Sequence, residues 1–186
     1  MPPKVKVTKD AILDAAVEIV RANGAQAINA RTIAAALGCS TQPIFSNFAT
    51  MEELRLGVVE RADRLCQVYI RRETERGEFP AYKASGMAYI RFAKEEQELF
   101  RLLYMRDRST ERLAKESDLN DTMVSMVQQN TGLNAEQAML FHLEMWVYVH
   151  GIATMFATSF VELDWELVTR MLTDAYQGLR KQYGME

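Results

Sequence analysis

A chain of 186 residues that is 48% hydrophobic can bury a sizeable core, as one domain or two small ones. Charged residues make up 25% of it and the formal net charge is -3, which excludes a polycation that coats nucleic acid without selectivity. The two cysteines, Cys39 and Cys66, lack close spacing and make neither a disulfide framework nor a zinc site; they read as reduced thiols. In chain order, the first helix is expected from Lys9 to Asn23, stopped by Gly24, with Ile12, Ala16, Ile19 and Val20 on its inner face. Through Phe48 the cations Lys4, Lys6, Lys9, Arg21 and Arg31 face only Asp10, Asp14 and Glu18, so this end is mildly basic.

Asn29 to Phe48 is the most informative stretch. Asn29 can cap a helix running from about Ala30 to Leu37, with Ile33 and Leu37 on one apolar face. Ala34 permits close approach of a second helix, and Gly38 can take the left-handed conformation that ends the first. Ser40 then restarts the chain as an N-cap, with Pro43 in the first turn, where its missing N–H is not needed. Ile44 and Phe48 would pack on Ile33 and Leu37, which leaves Thr41, Gln42, Phe45, Ser46 and Asn47 facing outward. That is the layout of a helix-turn-helix DNA reader.

Helical signals fill the remainder. Thr50 and Glu53 read as a capping box for a helix from Met51 to Arg76, with Leu54, Val58, Leu65 and Tyr69 inward and Gly77 to Pro80 ending it. Further helices are expected over Ala81 to Lys94 and Glu96 to Met105, with a loop from Arg106 to Lys115. Another follows from Asp118 to Asn130, capped by Ser117 and stopped by Gly132. The last two follow Asn134, to about Ser159, and Asp164, to about Tyr183. No repeat or low-complexity segment interrupts them. The N-terminus is polar and no uninterrupted apolar run reaches the roughly 20 residues that span a bilayer, so a soluble cytoplasmic protein without a membrane segment is expected.

At Ser40, Ile44, Phe45 and Phe48 the chain resembles the TetR family of transcriptional regulators, whose recognition helix reads Ser-x-x-x-(Leu/Ile)-aromatic-x-x-Phe. AYIRFAKEEQELFRLLYM (88–105) and WVYVHGIATM (146–155) are similar to the ligand-binding half of one large branch, marked by Trp146, His150 and Gly151. The resemblance implies an all-α fold of about nine helices. A three-helix helix-turn-helix domain over 1–50 would precede a helical ligand-binding and dimerisation domain over 51–186. It also implies a ligand-released dimeric repressor on a palindromic double-stranded DNA operator. The alternative is a helical small-molecule-binding or scaffold protein that has lost operator binding. Many relatives carry a tyrosine where Phe45 stands and a lysine near Met51, so two usual phosphate contacts are missing here.

The expected DNA contacts are therefore Arg31, Ser40, Thr41, Gln42, Pro43, Phe45, Ser46 and Asn47. With no lysine or arginine on the recognition helix, Gln42 is the best reader of adenine, while Pro43 and Phe45 suit thymine methyl groups. An A·T-containing half-site follows. Arg31, Ser46, Asn47 and the N-terminal lysines are left to hold phosphates; Lys4, Lys6 and Lys9 fit either a DNA-reaching arm or a solubilising tail.

The stretch from Ala138 to Phe160 is apolar on almost every side and needs two partners. A homodimer through the helices around 135–159 and 165–183 supplies the second, as the resemblance implies; a central buried helix in a monomer is the plainer reading. Met87, Phe100, Tyr104, Met123, Phe141, Glu144, Met145 and Tyr148 are the candidate contacts to an apolar small-molecule effector, although the same residue types also make an ordinary core. Glu144, amid apolar neighbours, could counter a cationic ligand or pair with Arg91 or Arg101. His142 and His150 lie eight residues apart on one helix, about 12 Å, too far to share a metal ion. No cofactor is expected. The chain also lacks a Gly-x-Ser-x-Gly elbow, a Gly-rich phosphate loop, Cys-x-x-Cys and His-Glu-x-x-His, so it does not read as an enzyme.

Overall fold

The computed structural model describes residues 7–106 and 116–185, and every regular element among them is helical. In chain order these are α1 (Lys9–Asn23), a 3-10 turn (Ala25–Ala27), α2 (Ala30–Ala36), α3 (Gln42–Asn47), α4 (Met51–Arg76), α5 (Ala81–Glu95), α6 (Gln97–Tyr104), α7 (Glu116–Thr131), α8 (Ala135–Ala157) and α9 (Trp165–Gln182). The loop expected over Arg106 to Lys115 lies, Arg106 apart, outside the described residues. Two compact units divide the chain. One runs through Gln67 and takes in Glu96–Arg106; the other comprises Val68–Glu95 and the residues after Arg106.

In the first unit, α1 starts where the Thr8 hydroxyl accepts from the Ala11 amide at 3.1 Å and stops where Gly24 adopts φ 80°. Its buried stripe is Ile12, Leu13, Ala16, Val17 and Val20. Ile19, placed on that face by the sequence pattern, is half-buried at its margin because the stripe is centred on Leu13, Ala16 and Val20. Along α4 the buried positions Leu54, Val58, Ala62 and Cys66 repeat every fourth residue, so Leu65 and Tyr69 fall to the flank, half-buried. Burial pushes the Cys66 thiol up to about 12, which keeps it protonated and inert. Arg61 reaches from α4 to Asp10 at 3.0 Å and Asp14 at 2.7 Å on α1. From α6, Leu99, Phe100 and Leu103 are buried in this unit. Arg21 grips Glu96 at two points, Nε to Oε2 at 2.8 Å and Nη2 to Oε1 at 2.7 Å, joining the end of α1 to the start of α6.

In the second unit, Gly86 lets α5 approach α8 closely, since a Cβ there would lie 3.3 Å from Val149. On either side of it a tyrosine of α5 meets a histidine of α8: Tyr82 bonds His142 Nδ1 and Tyr89 bonds His150 Nδ1, each at 3.0 Å. The pairing order, 82 with 142 and 89 with 150, makes the two helices run in the same direction. Glu73 is only 3% exposed; its Oε2 accepts from Arg76 at 3.1 Å and lies 3.3 Å from Arg91 Nε. The Arg91 guanidinium also sits 4.5 Å from the Trp165 ring centroid, which ties α4, α5 and α9 through one charge. The α7 backbone is already helical at Glu116, so Ser117 lies inside the helix rather than capping it. Acidic residues suit a first turn, where the helix dipole favours them. Asn134 and Gln137 exchange side-chain and backbone bonds at the start of α8, and Asp164 accepts from Leu167 N at 2.7 Å at the start of α9.

Burial holds both imidazoles below the ordinary histidine value of 6.5. The unfolded chain therefore takes up these protons first, so their contribution is complete above that value and is lost as pH falls through it. Thermal melting should occur at lower temperature at pH 5.5 than at pH 7.5. Changing His142 and His150 together to glutamine, whose amide can pair with the tyrosines without titrating, should shrink that difference; an undiminished difference would assign it to the carboxylates instead.

Candidate functional site

The helix-turn-helix head is built by local bonds at three points. Asn29 Oδ1 accepts from the amides of Arg31 and Thr32, both at 3.0 Å, and Thr32 Oγ1 accepts from the Asn29 amide at 3.1 Å, a reciprocal cap. At the other end of α2, Gly38 adopts φ 61°, with Gly38 N bonded to Ala35 O at 3.2 Å and Cys39 N to Ala34 O at 3.0 Å. These are the two bonds of a Schellman turn, and they hold four residues of the corner fixed. The turn carries the chain past Ser40, so Ser40 is not the cap of the next helix. Thr41 occupies that position, without a side-chain cap bond, and Pro43 lies within the first turn of α3.

Ile44 is fully buried and Phe48 is 2% exposed, while on α2 and at its end Ile33 is fully buried and Leu37 half-buried. Gln42, Ser46 and Phe45 point outward, Phe45 with 55% of its surface in water, and Arg31 and Ser40 are exposed. Thr41, Pro43 and Asn47 are half-buried. Ser46 Oγ donates to Gln42 O at 2.9 Å, which leaves its oxygen able to accept. Asn47 Nδ2 donates to Pro43 O at 2.8 Å and to Val7 O at 3.3 Å, so both its donors are engaged within the head. Lys9 is held too, with its ammonium 4.7 Å from the Phe48 ring centroid and 3.0 Å from Glu53. Glu53 accepts from the Ala49 amide at 2.8 Å, one residue before the Thr50 amide that a standard capping box would use, and Thr50 Oγ1 accepts from Glu53 N at 3.0 Å. The Ala49 bond first, and Lys9 second, hold the Glu53 carboxyl below its usual range.

The effector candidates fall in two places. Phe100 and Tyr104 pack in the first unit, with rings 5.0 Å apart and the Tyr104 hydroxyl donating to Cys66 Sγ at 3.6 Å. The other six lie in the second unit. Phe141 and Met145 share a buried cluster with Val124, Val127 and Ala138. Met87 is fully buried, Met123 accepts from Ser85 Oγ at 3.6 Å, and Tyr148 is exposed on α8. Glu144 pairs with neither arginine suggested by its sequence setting, because Arg91 engages Glu73 and Arg101 engages Glu98. Its Oε2 is buried without a hydrogen-bond partner among the described residues, and the Tyr183 phenol is raised first by burial and second by the charge of Glu144. No group of three histidine, cysteine or carboxylate side chains suited to a metal ion occurs among the described residues. Pattern reasoning missed Glu73; an acidic residue that keeps the i+7 register with Cys66 on the inner stripe of α4 is the signal that could have found it.

Residues 82–175, just over half of the chain, match the family model described as the tetracyclin repressor-like, C-terminal domain. The chain belongs to the TetR family of transcriptional regulators. Members of this family regulate transcription and are not enzymes. No curated protein sequence matches this TetR chain. Among solved structures it is similar to a TetR-like transcriptional regulator from Rhodococcus sp. RHA1, with TM-score 0.66 and 15% identity, covering 99% of each chain. It is also similar to MexZ of Pseudomonas aeruginosa, a repressor responsible for antibiotic resistance, with TM-score 0.63 and 21% identity, covering 94% of this chain and 96% of that one. At such identities the likeness extends to the fold, and the surface chemistry of this TetR head must be read from its own residues.

The corner of the head gives a direct check. A Cβ at Gly38 would meet no atom within 4 Å, so a side chain there costs only the left-handed backbone conformation. Gly38→Ala should lower unfolding stability by about 1 kcal/mol, and Gly38→Asn, which tolerates that region better, by less. Urea melts that rank the two variants equally would show that the turn does not require it.

Proposed function

We propose that this TetR-family chain is a cytoplasmic, dimeric, ligand-released repressor that recognises a palindromic operator. Residues 1–50 read DNA, and 51–186 bind the effector and dimerise. One observation carries the DNA reading: α3 is anchored by buried Ile44 and Phe48 while Gln42, Phe45 and Ser46 stand in water on its opposite side. Gln42 offers an amide to adenine, and Phe45 and Pro43 offer apolar surface to thymine methyl groups. Ser40 and Thr41 at the start of α3, with Arg31 and Ser46, meet phosphates or sugar edges.

The dimer reading rests on α8. One side, with Phe141, Met145, Val149 and Phe156, is buried in the chain's own core, while Leu140, Leu143 and Val147 are 50%, 51% and 58% exposed on the other. Gly151 lies on that second side with open space around its Cα, room for another helix to approach. A second copy covers such a face with the same face, and the two-fold axis places two copies of α3 about 34 Å apart, in successive major grooves. The effector is a small apolar molecule held by some of Met87, Met123, Phe141, Glu144, Met145, Tyr148, Phe100 and Tyr104. By linkage, operator and effector each weaken the other. The rival reading is a helical binding or scaffold protein. It is favoured by a recognition helix without lysine or arginine and by Phe45 and Met51 in place of polar contacts.

Selection of bound DNA from a random pool decides between them: enrichment of a palindrome supports the repressor, and no enrichment supports the rival. On the enriched site, Gln42→Ala should cost about 1–3 kcal/mol while binding to scrambled DNA is almost unchanged. Equal loss on both would remove the base-reading role. Arg31→Ala should weaken all sequences alike and flatten the salt dependence by about one unit of slope. Val147→Glu should shift the protein to a monomer in sedimentation and abolish palindrome binding, and an unshifted dimer would place the interface elsewhere.

A further inference from the structure

The second unit holds an acceptor and a donor that are side by side, both buried and both unmatched. Glu73 on α4 is 3% exposed and its Oε2 accepts from Arg76 Nη1 at 3.1 Å, but its Oε1 is buried with no hydrogen-bond partner among the described residues. Arg91 on α5 brings Nε to 3.3 Å from Oε2, off the line that a hydrogen bond needs, so this N–H too is buried without such a partner. Folded proteins leave few buried polar atoms unmatched, because each has given up its bonds to water; two at one point call for a common partner. The neighbouring charges limit what that partner is. Arg91 also lies 3.9 Å from Glu95, so Glu73 and Glu95 offset Arg76 and Arg91. An added ion would stand uncompensated in a place shielded from water, and a neutral group would not. Apolar surface adjoins the pair: the Arg91 guanidinium lies 4.5 Å from the Trp165 centroid, and one turn along both helices Thr169 Oγ1 donates to the sulfur of fully buried Met87 at 4.0 Å.

We infer that Glu73 and Arg91 form the polar end of the effector site: the hydroxyl of an otherwise apolar, uncharged alcohol or phenol donates to Glu73 Oε1 and accepts from Arg91 Nε, with its carbon skeleton directed toward Met87. This rests on the effector-binding reading above and narrows it to a class of ligand. A hydroxyl both gives and accepts at one atom, so it satisfies the two groups together and leaves the charge balance as it was. Each side chain is held from another side, Glu73 by Arg76 and Arg91 by the Trp165 ring, so the pair is set before the ligand arrives. Selectivity follows from what other groups leave unmet. An ether can accept from Arg91 but gives Glu73 nothing, and an ammonium would donate to Glu73 while facing the like charge of Arg91.

The test is calorimetric titration of the full-length chain at neutral pH with three probes of one skeleton: naphthol, its methyl ether, and naphthylmethylamine, which is then a cation. Naphthol should bind about 10–100-fold more tightly than the ether, because a hydrogen bond to a charged acceptor is at stake, and the cation no better than the ether. Glu73→Gln keeps the size of the side chain and an oxygen for Arg76 but loses the carboxylate; it should bring naphthol down toward the ether and leave the ether almost unchanged. Arg91→Lys, which keeps the charge and removes Nε, should reduce the preference in part. The comparison of naphthol with its ether on the natural chain depends on no variant folding. Three results overturn the inference: equal affinity for naphthol and ether, as when resident water satisfies both atoms; a preference for the cation; or a preference for naphthol that persists undiminished in Glu73→Gln. Equal affinities leave the effector-binding reading standing, whereas binding of none of the probes removes that reading and this role of Glu73 with it.

Discussion

The burial of Ile44 and Phe48 beneath a six-residue helix is the constraint on which the rest of the head depends. A helix that short does not hold its shape in water, because nucleation costs more than a single turn of hydrogen bonds returns. Tertiary contact must supply the difference. Fully burying an isoleucine and a phenylalanine contributes about 1.5–3 kcal/mol each, enough to fix α3 against the core. That anchoring, with the Schellman turn at Gly38 before it and the Asn47 bonds behind it, decides which side of α3 meets solvent. A recognition surface needs this rigidity more than it needs charge.

The charges of the head are mostly turned on one another. Arg61 holds Asp10 and Asp14, Lys9 holds Glu53, and Arg21 holds Glu96. The first two clusters are largely exposed and contribute little to stability. The Arg21 bridge differs, because Glu96 is only 14% exposed and both carboxylate oxygens are gripped. Intramolecular pairing of this kind lowers the positive potential available to DNA, and the outward face of α3 adds none.

Much of this was legible in the sequence because the signals are local. The bounds of α1 and α4 follow from Gly24 and Gly77 with the apolar period between them, and the caps at Asn29, Asn134 and Asp164 stand where residue type alone puts them. Misplaced details involve competition between neighbours. Ser40 has the chemistry of a cap, but the backbone bonds of the Gly38 turn reach Cys39 and push the helix start onward. Asn47, read as an outward phosphate contact, also has partners within the head that no spacing announces, Val7 O and Pro43 O. Non-local partners leave no spacing to read, so Glu73 with Arg91, and the tyrosines of α5 with the histidines of α8, emerge only from the fold. The effector candidates have no such local signal, since a methionine or aromatic that fills a core and one that faces a ligand look identical in sequence.

The chain passes between the two compact units inside α4 at Gln67–Val68, at Glu95–Glu96 between α5 and α6, and again after Arg106. At these crossings alone is the backbone of the two units continuous. At Glu95–Glu96 the adjoining carboxylates serve different units: Glu95 accepts from Tyr69 at 2.9 Å, whereas Glu96 is clamped by Arg21. Two neighbouring carboxylates are thus each bonded within their own unit. Since α1 carries Thr8 at its start and Arg21 at its end, the same helix connects the anchored carboxylate to the segment that Asn47 holds beside the recognition helix.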